Sequence, residues 1–258
     1  MNASVQRKDS IGTIGDAIEW LRRNPILIGL FFFYGILELF GELLGTLGAV
    51  IGLFSFLVLI YVDGVAHVIG QQEATGHGGD LGQASTVVLG QFVSLIGIFI
   101  VYGLVVFVGL LFFIIPGVYL AIRLSLAFPA CVIDEEGAFE SLSTSWSVAK
   151  GNLIKLFGIT VLSLLIVGGV AVVTVLFTGL DGGFYLTFLA VSAVLTAVVS
   201  PVVQLAYARV YLENRPRSGS SSAADDRGEA STWGGTDDDS QTGSGDEWGT
   251  DTRDDDRW

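Results

Sequence analysis

Residues 116–137, PGVYLAIRLSLAFPACVIDEEG, begin at a proline, run through an apolar stretch that contains one arginine, and end in three consecutive acids. Proline is favoured at the start of a helix and breaks a helix interior. Pro116 therefore separates this stretch from the apolar residues before it, and we predict a membrane-spanning helix over 116–133. Pro129 should kink this helix or end it early.

The composition places the rest of the chain in a membrane as well. Apolar residues make up 51% of the sequence and charged residues only 15%, against about 25% in a soluble domain. Crossing a bilayer takes about 20 apolar helical residues, and the chain has six stretches of roughly that length. We predict an all-α, polytopic membrane bundle of six transmembrane helices within residues 26–212, at about 26–44, 47–69, 87–113, 116–133, 153–178 and 184–211.

The C-terminal segment 213–258 differs from the bundle. It holds 13 of the 26 acids against five arginines, in a background of Gly, Ser and Thr. Such a segment cannot bury enough apolar surface to fold, so we predict an acidic, disordered tail. Its three tryptophans either dock on a protein partner or are simply tolerated there: Trp233, Trp248 and Trp258. With a net charge of −13, we expect no nucleic-acid partner.

The lysines and arginines predict the orientation. They lie in the N-terminal segment 1–25, at Arg123, within 134–155, or from Arg209 onward, and the turns 45–46, 114–117 and 179–183 have none. Cytoplasmic loops are enriched in Lys and Arg. We therefore expect a multi-pass protein of the cell membrane with both termini in the cytoplasm. Residues 1–24 lack the pattern of a cleavable signal peptide.

Short amphipathic helices are predicted in the cytoplasmic segments. Apolar residues at helical spacing share one face in each of two segments: Ile11, Ile14, Ile18 and Leu21 in the first, and Phe139, Leu142, Trp146 and Ala149 in the second. These helices either lie flat on the membrane surface or pack on each other as a small cap. Residues 81–85, LGQAS, suggest a third, which would give three units of surface helix plus hairpin.

Arg123 needs a partner within the bundle. A lone guanidinium inside the hydrocarbon layer costs about 3 kcal/mol or more, so it should face protein. Glu38 lies at a matching depth, counted at about 1.5 Å per residue, and is the predicted ion-pair partner, with Glu42 or Asp63 as alternatives. Two interpretations remain open. The pair is structural and locks two helices together, or Arg123 belongs to a substrate or ion site.

Residues 116–152 also carry a resemblance. PGVYLAIRLSLAFPACVIDEEG followed by AFESLSTSWSVAKGN resembles uncharacterised six-helix membrane proteins of haloarchaea, and the membrane domain attached to some glycerophosphodiester phosphodiesterases. The likeness covers about residues 12–212 and implies a fold and a membrane location. Phosphodiesterase chemistry belongs to a separate soluble barrel and is not carried over. The residues that fit the pattern are Pro116, Gly117, Arg123, Pro129, Gly137, Ser145, Trp146, Gly151 and Asn152.

No catalytic or metal-binding motif is found in the sequence. His67 and His77 are ten residues apart, without a carboxylate at metal-ligand spacing, and we expect no cofactor. The bilayer is the one partner that the composition predicts, and the oligomeric state is left open. Three function classes follow in order of preference: a non-enzymatic membrane scaffold or accessory protein, a small-solute or ion transporter or channel, and a lipid-handling enzyme or its regulator.

Overall fold

The described part of the chain is built from helices joined by short turns. In the computed structural model it comprises residues 8–178 and 182–215, and it contains no strand. The predicted tail lies outside these residues from 216 onward, with its three tryptophans. The helices are α1 (Ser10–Arg23), α2 (Ile26–Leu43), α3 (Gly48–Ala74), α4 (Leu81–Gly90), α5 (Phe92–Phe112), α6 (Ile114–Leu124), α7 (Ala127–Ile133), α8 (Ala138–Ala149), α9 (Leu153–Thr178) and α10 (Gly182–Asn214).

Six segments of the described chain are long and apolar enough to cross a membrane, as predicted. They are Ile26–Leu43, Gly45–Ala74, Phe92–Phe112, Ile114–Ile133, Leu153–Thr178 and Phe184–Asn214. Large apolar side chains such as Phe107, Leu164 and Phe177 stand exposed on their outer faces. A soluble protein would bury such residues, whereas lipid accepts them. The all-α, multi-pass fold is therefore confirmed.

The third and fourth spans differ from their predicted bounds. The third begins at Phe92 rather than at 87, because the separate helix α4 continues through Gly90. Pro116 is the third residue of α6 rather than the first. It still lies in the first turn, where a missing N–H costs nothing.

The fourth span is interrupted at Ser125 and Leu126, between α6 and α7. Pro129 explains the position of this break. Because proline has no N–H, it cannot bond to the carbonyl four residues earlier, which is that of Ser125. The helix is therefore interrupted before the proline rather than at it, and the backbone groups at the break need other partners.

A short helix precedes each pair of spans, which is the predicted threefold arrangement. Asp9 and Asp80 cap α1 and α4 by accepting hydrogen bonds from the backbone N–H groups of Gly12 and Gln83, both at 3.0 Å. α1 packs mainly on α10, and α8 packs mainly on α7 and α6. The two predicted amphipathic helices therefore do not form a cap on each other.

The face of α1 that packs on the bundle differs from the apolar stripe of the sequence. Ala17 and Trp20 are buried there, whereas Ile11 is 80% exposed and Ile18 45% exposed. The predicted stripe is thus split. Leu21 joins the core and Ile14 packs against it, whereas Ile11 and Ile18 stay exposed, as expected for a helix at the surface of a bilayer.

The two ends of the bundle differ in chemistry. α1, α4 and α8 lie at one end, together with the loops 74–80 and 134–137 and both ends of the described chain, which we call the polar end. Contacts between Lys155 and Glu213, and between Arg215 and Asp134, join these segments. The opposite end, which we call the hairpin end, carries the tight turns at Gly45–Leu47 and Phe113.

Small residues set how closely the spans approach. A Cβ atom at Gly35 would lie only 2.9 Å from the Ala193 Cα, and one at Gly70 would lie 2.9 Å from the Ala208 Cβ. α10 therefore touches α2 and α3 almost backbone to backbone, which is typical of helix packing in membranes. α10 also packs on α9 and α1, so it lies at the centre of these four helices.

Candidate functional site

A cavity of about 200 Å³, open on one side, is lined by residues of α3, α5, α6, α7, α10 and the break in the fourth span. We call it the Asp63 cavity. Ionisable side chains within a membrane bundle are costly and mark functional sites by default. Its lining residues are Leu59, Ile60, Asp63, His67, Phe99, Tyr102, Leu124, Ser125, Phe128, Gln204 and Tyr207.

Gln204 organises the two ionisable groups of this cavity. Its side chain hydrogen-bonds the Asp63 carboxylate, and its backbone carbonyl lies 3.0 Å from the His67 Nδ1. A carbonyl can only accept, so His67 carries a proton on Nδ1. His67 is 1% exposed, and the ring is therefore held in one orientation.

One oxygen of the Asp63 carboxylate is unpaired. Oδ1 is closed off from solvent and has no hydrogen-bond partner. The hydroxyls around the cavity are engaged elsewhere, since Tyr207 pairs with Thr160 at 2.8 Å and Ser125 donates to the Ile122 carbonyl at 2.9 Å. Buried polar groups are normally satisfied, so this unpaired oxygen marks a place for a proton.

A second space is a groove between α1, α2, α9 and α10 at the polar end, with a volume of about 500 Å³. We call it the Arg22 groove. Among its lining residues, Ile18, Leu162, Ile166 and Val198 are exposed, so the groove opens on the outer face of the bundle. The residues that line it are Ile14, Ile18, Leu21, Arg22, Ile28, Ile159, Leu162, Ser163, Ile166, Val198, Val199, Val202, Val203 and Ala206.

The polar end is held together by buried ion pairs that the sequence did not predict. The Arg209 guanidinium lies 2.6 Å from Asp16 Oδ2 and 3.1 Å from Glu213 Oε1, and the Lys155 Nζ lies 2.5 Å from Glu213 Oε2. This network joins α1, α9 and α10. The four-residue spacing of Arg209 and Glu213 was the available signal, but nothing in the sequence points to Asp16 or Lys155 as their partners.

The acidic run after the fourth span is part of the same polar end. Asp134 accepts hydrogen bonds from the Tyr211 hydroxyl and the Arg215 guanidinium, and Glu136 accepts one from the Thr144 hydroxyl at 3.0 Å. Burial raises the pKa of the Glu136 carboxyl, and this outweighs the Thr144 hydrogen bond, which lowers it. Within the described ranges, no three His, Cys, Asp or Glu side chains come together as a metal site.

Arg123 lies at the end of α6, buried against aromatic rings. Its guanidinium carbon is 4.5 Å from the centroid of the Trp146 ring and 5.9 Å from that of Tyr119. The two rings stand edge to face, with centroids 6.2 Å apart. A guanidinium over aromatic rings is stabilised by the ring quadrupole, by up to about 2 kcal/mol where it is desolvated.

The structure does not bring Arg123 together with any of the three carboxylates considered for it. Glu38 accepts a hydrogen bond from Tyr34, Glu42 accepts one from Tyr185 at 2.5 Å, and Asp63 lies with Gln204. Among the described side chains, Arg123 forms no ion pair. The reason is packing: α6 lies against α5 and α8, whereas α2 lies against α3 and α10. A matched depth does not make two helices neighbours.

Ser145 and Trp146 of α8 complete the interruption in the fourth span. The Ser145 hydroxyl donates to the Arg123 carbonyl at 3.0 Å and accepts from the Leu126 N–H at 3.1 Å. It thereby satisfies backbone groups on both sides of the break that Pro129 produces. Four residues of the sequence pattern, Arg123, Pro129, Ser145 and Trp146, thus form one structural unit.

The other pattern residues shape the turns around this unit. A Cβ atom at Gly117 would lie 2.5 Å from Leu110 side-chain atoms, so the turn between α5 and α6 needs a glycine there. Gly137 is the residue before α8, and Gly151 and Asn152 connect α8 to α9.

Residues 97–212 match the family model of the membrane domain of glycerophosphoryl diester phosphodiesterase. The match confirms the resemblance to that membrane domain over this part of the chain. No curated protein and no solved structure matches the chain.

The matched segment runs from α5 to the end of α10. It includes the unit formed by Arg123 and Ser145, and it supplies α5, α6, α7 and α10 to the Asp63 cavity. It leaves out α1, α2, α3 and α4, so Arg22, Asp63 and His67 lie outside it. The matched model describes a membrane domain rather than a catalytic domain.

Proposed function

We propose that this integral membrane protein is a non-enzymatic accessory protein that binds an anionic membrane lipid in the Arg22 groove. The observation that carries the proposal is the combination of a long apolar groove, open to the surrounding lipid, with one cation at its polar end. The family match supports an integral membrane domain.

The length and the apolar lining of the groove suit the acyl chain of a lipid. Along α10 it extends from Ala206 to Val198, which is roughly 12 Å at 1.5 Å per residue. Arg22 and Ser163 are the only polar residues among those lining it. Each methylene group that leaves water for such a surface contributes about 0.8 kcal/mol, but neighbouring lipids offer the same apolar contact. The groove therefore discriminates through the headgroup.

Arg22 supplies that discrimination. Its neighbour Arg23 is engaged by Glu19 and Glu73, which raise the pKa of Arg23. Arg22 is exposed at the end of α1 and forms no ion pair within the described residues. A guanidinium binds phosphate through two parallel N–H donors, so we expect a phosphate headgroup without a compensating cation to be preferred.

The proposed orientation agrees with this site. Apart from Arg123, the described bases all lie at the polar end, and the described turns of the hairpin end have none. By the positive-inside rule, the polar end faces the cytoplasm, where anionic lipids attract basic groups.

We also propose that the tail binds a protein partner through Trp233, Trp248 and Trp258.

The test is the response of the full chain to defined lipids. In mild detergent, phosphatidylglycerol should raise the melting temperature more than phosphatidylcholine with the same acyl chains. Arg22→Gln should abolish this difference, whereas Lys150→Gln, which removes an exposed charge at the same end, should keep it. Val202→Trp, which fills the groove, should weaken the response to both lipids. Equal responses of the native chain to the two lipids would refute the proposal.

Transport of a small solute is the second candidate function, and the Asp63 cavity is the observation that favours it. A free carboxylate oxygen at membrane depth is typical of ion and proton pathways. The test is uptake, into liposomes that contain the protein, of a small cation that protein-free liposomes exclude. Uptake that Asp63→Asn abolishes would support transport, and the absence of uptake would remove this candidate.

A further inference from the structure

We propose that the Asp63 cavity is a binding site for a small organic cation of the alkylammonium type. The site is built from the Asp63 side chain and four aromatic side chains. It shares no residue with the Arg22 groove, so the proposal is independent of lipid binding.

The charge of the cavity calls for a cation. Asp63 is its one acidic residue, Oδ1 has no partner, and no lysine or arginine is among the residues that line it. His67 donates from Nδ1 to a carbonyl, which leaves its other ring nitrogen as an acceptor in the neutral form. A cation in the cavity would meet a carboxylate without having to displace a competing positive side chain.

The aromatic lining favours an organic cation over a metal ion. Phe99, Tyr102, Phe128 and Tyr207 line the cavity, and aromatic rings bind alkylated ammonium groups through their negative faces. The hydroxyls of both tyrosines are already bonded to protein groups, Tyr102 to the Ala121 carbonyl and Tyr207 to Thr160. A hard metal ion such as Ca²⁺ takes six to eight oxygen ligands, and this lining does not supply them.

The volume sets the size of the ligand. A cavity of about 200 Å³ has room for six or seven groups the size of a water molecule, at about 30 Å³ each. Tetramethylammonium, with five non-hydrogen atoms, fits this limit, whereas a phospholipid headgroup with its glycerol does not. The ligand class is therefore a compact ammonium ion with one to four small alkyl substituents.

The experiment measures binding of tetramethylammonium to the full chain in detergent, by calorimetry and by thermal unfolding. The native protein should bind it, and K⁺ or the neutral molecule tert-butanol, which has a similar size, should not compete at the same concentration. Asp63→Asn should weaken binding at least tenfold. Glu38→Gln, which removes an exposed carboxylate of α2 outside the cavity, should leave the affinity unchanged.

A second pair of variants tests the aromatic part without touching the carboxylate. Tyr102→Phe keeps the ring and should bind tetramethylammonium as the native chain does, whereas Tyr102→Leu should bind it several-fold more weakly. Absence of binding by the native protein, equal affinity in Asp63→Asn, or full competition by K⁺ would each overturn the proposal. Binding without uptake into liposomes would support the site while removing the transport function.

Discussion

Glu213 should be the most sensitive ionic position of the bundle. Its side chain is completely buried, with one oxygen near Lys155 and the other near Arg209, whose side chains are 10% and 7% exposed. Replacing Glu213 by Gln keeps the volume and removes the negative charge. Removing one partner of a buried pair costs about 3–5 kcal/mol, because a charge is left uncompensated.

The structure places the expected loss at the lower end of this range. Arg209 would retain Asp16, and the Lys155 ammonium would retain its hydrogen bond to the Lys8 carbonyl at 2.9 Å. The charge left without a carboxylate is therefore that of Lys155. We expect Glu213→Gln to lower the free energy of unfolding by about 3 kcal/mol.

Equilibrium unfolding in mixed micelles, with native and variant proteins in the same detergent, measures this loss. Arg215→Gln is the matched control, because the Arg215–Asp134 pair at the same end is about one-third exposed and should contribute at most about 1 kcal/mol. The double variant Glu213→Gln with Lys155→Met should recover much of the loss, because no unpaired charge remains. If Glu213→Gln costs no more than Arg215→Gln, the buried network does not stabilise the bundle.

Two further predictions concern Arg123 and the orientation. A double-mutant cycle of Arg123→Met and Trp146→Leu should give a coupling of about 1–2 kcal/mol in the free energy of unfolding. The losses from Arg123→Met and Glu38→Gln should simply add. Coupling to Glu38 without coupling to Trp146 would instead support the Arg123–Glu38 ion pair. A cysteine at Thr46, in the exposed turn of the hairpin end, should react with an impermeant thiol reagent applied to intact cells, and one at Thr75, at the polar end, should not. Labelling at Thr75 alone would invert the proposed orientation.

The sequence by itself determined where the spans lie, where the short helices begin, and which charged group must be covered by protein. Apolar length defines a membrane helix, because every backbone group in lipid must be bonded within the helix. Local signals set the short helices, since Asp9 and Asp80 cap them within three residues. The sequence also showed that Arg123 must be covered by protein, because a bare charge in hydrocarbon is too costly.

Only the tertiary structure decided which groups meet. Matched depth suggested Glu38 for Arg123, but α8 brings Trp146 there instead. Periodicity cannot show that a residue 23 positions further along the chain is a neighbour. The Asp63 cavity, the Arg22 groove and the Glu213 network likewise combine side chains from three or more helices. Because lipid is as apolar as the helix surfaces, hydropathy does not select neighbours in a membrane. Close contacts such as Gly35 against Ala193 make that selection, and they become visible only in the packed bundle.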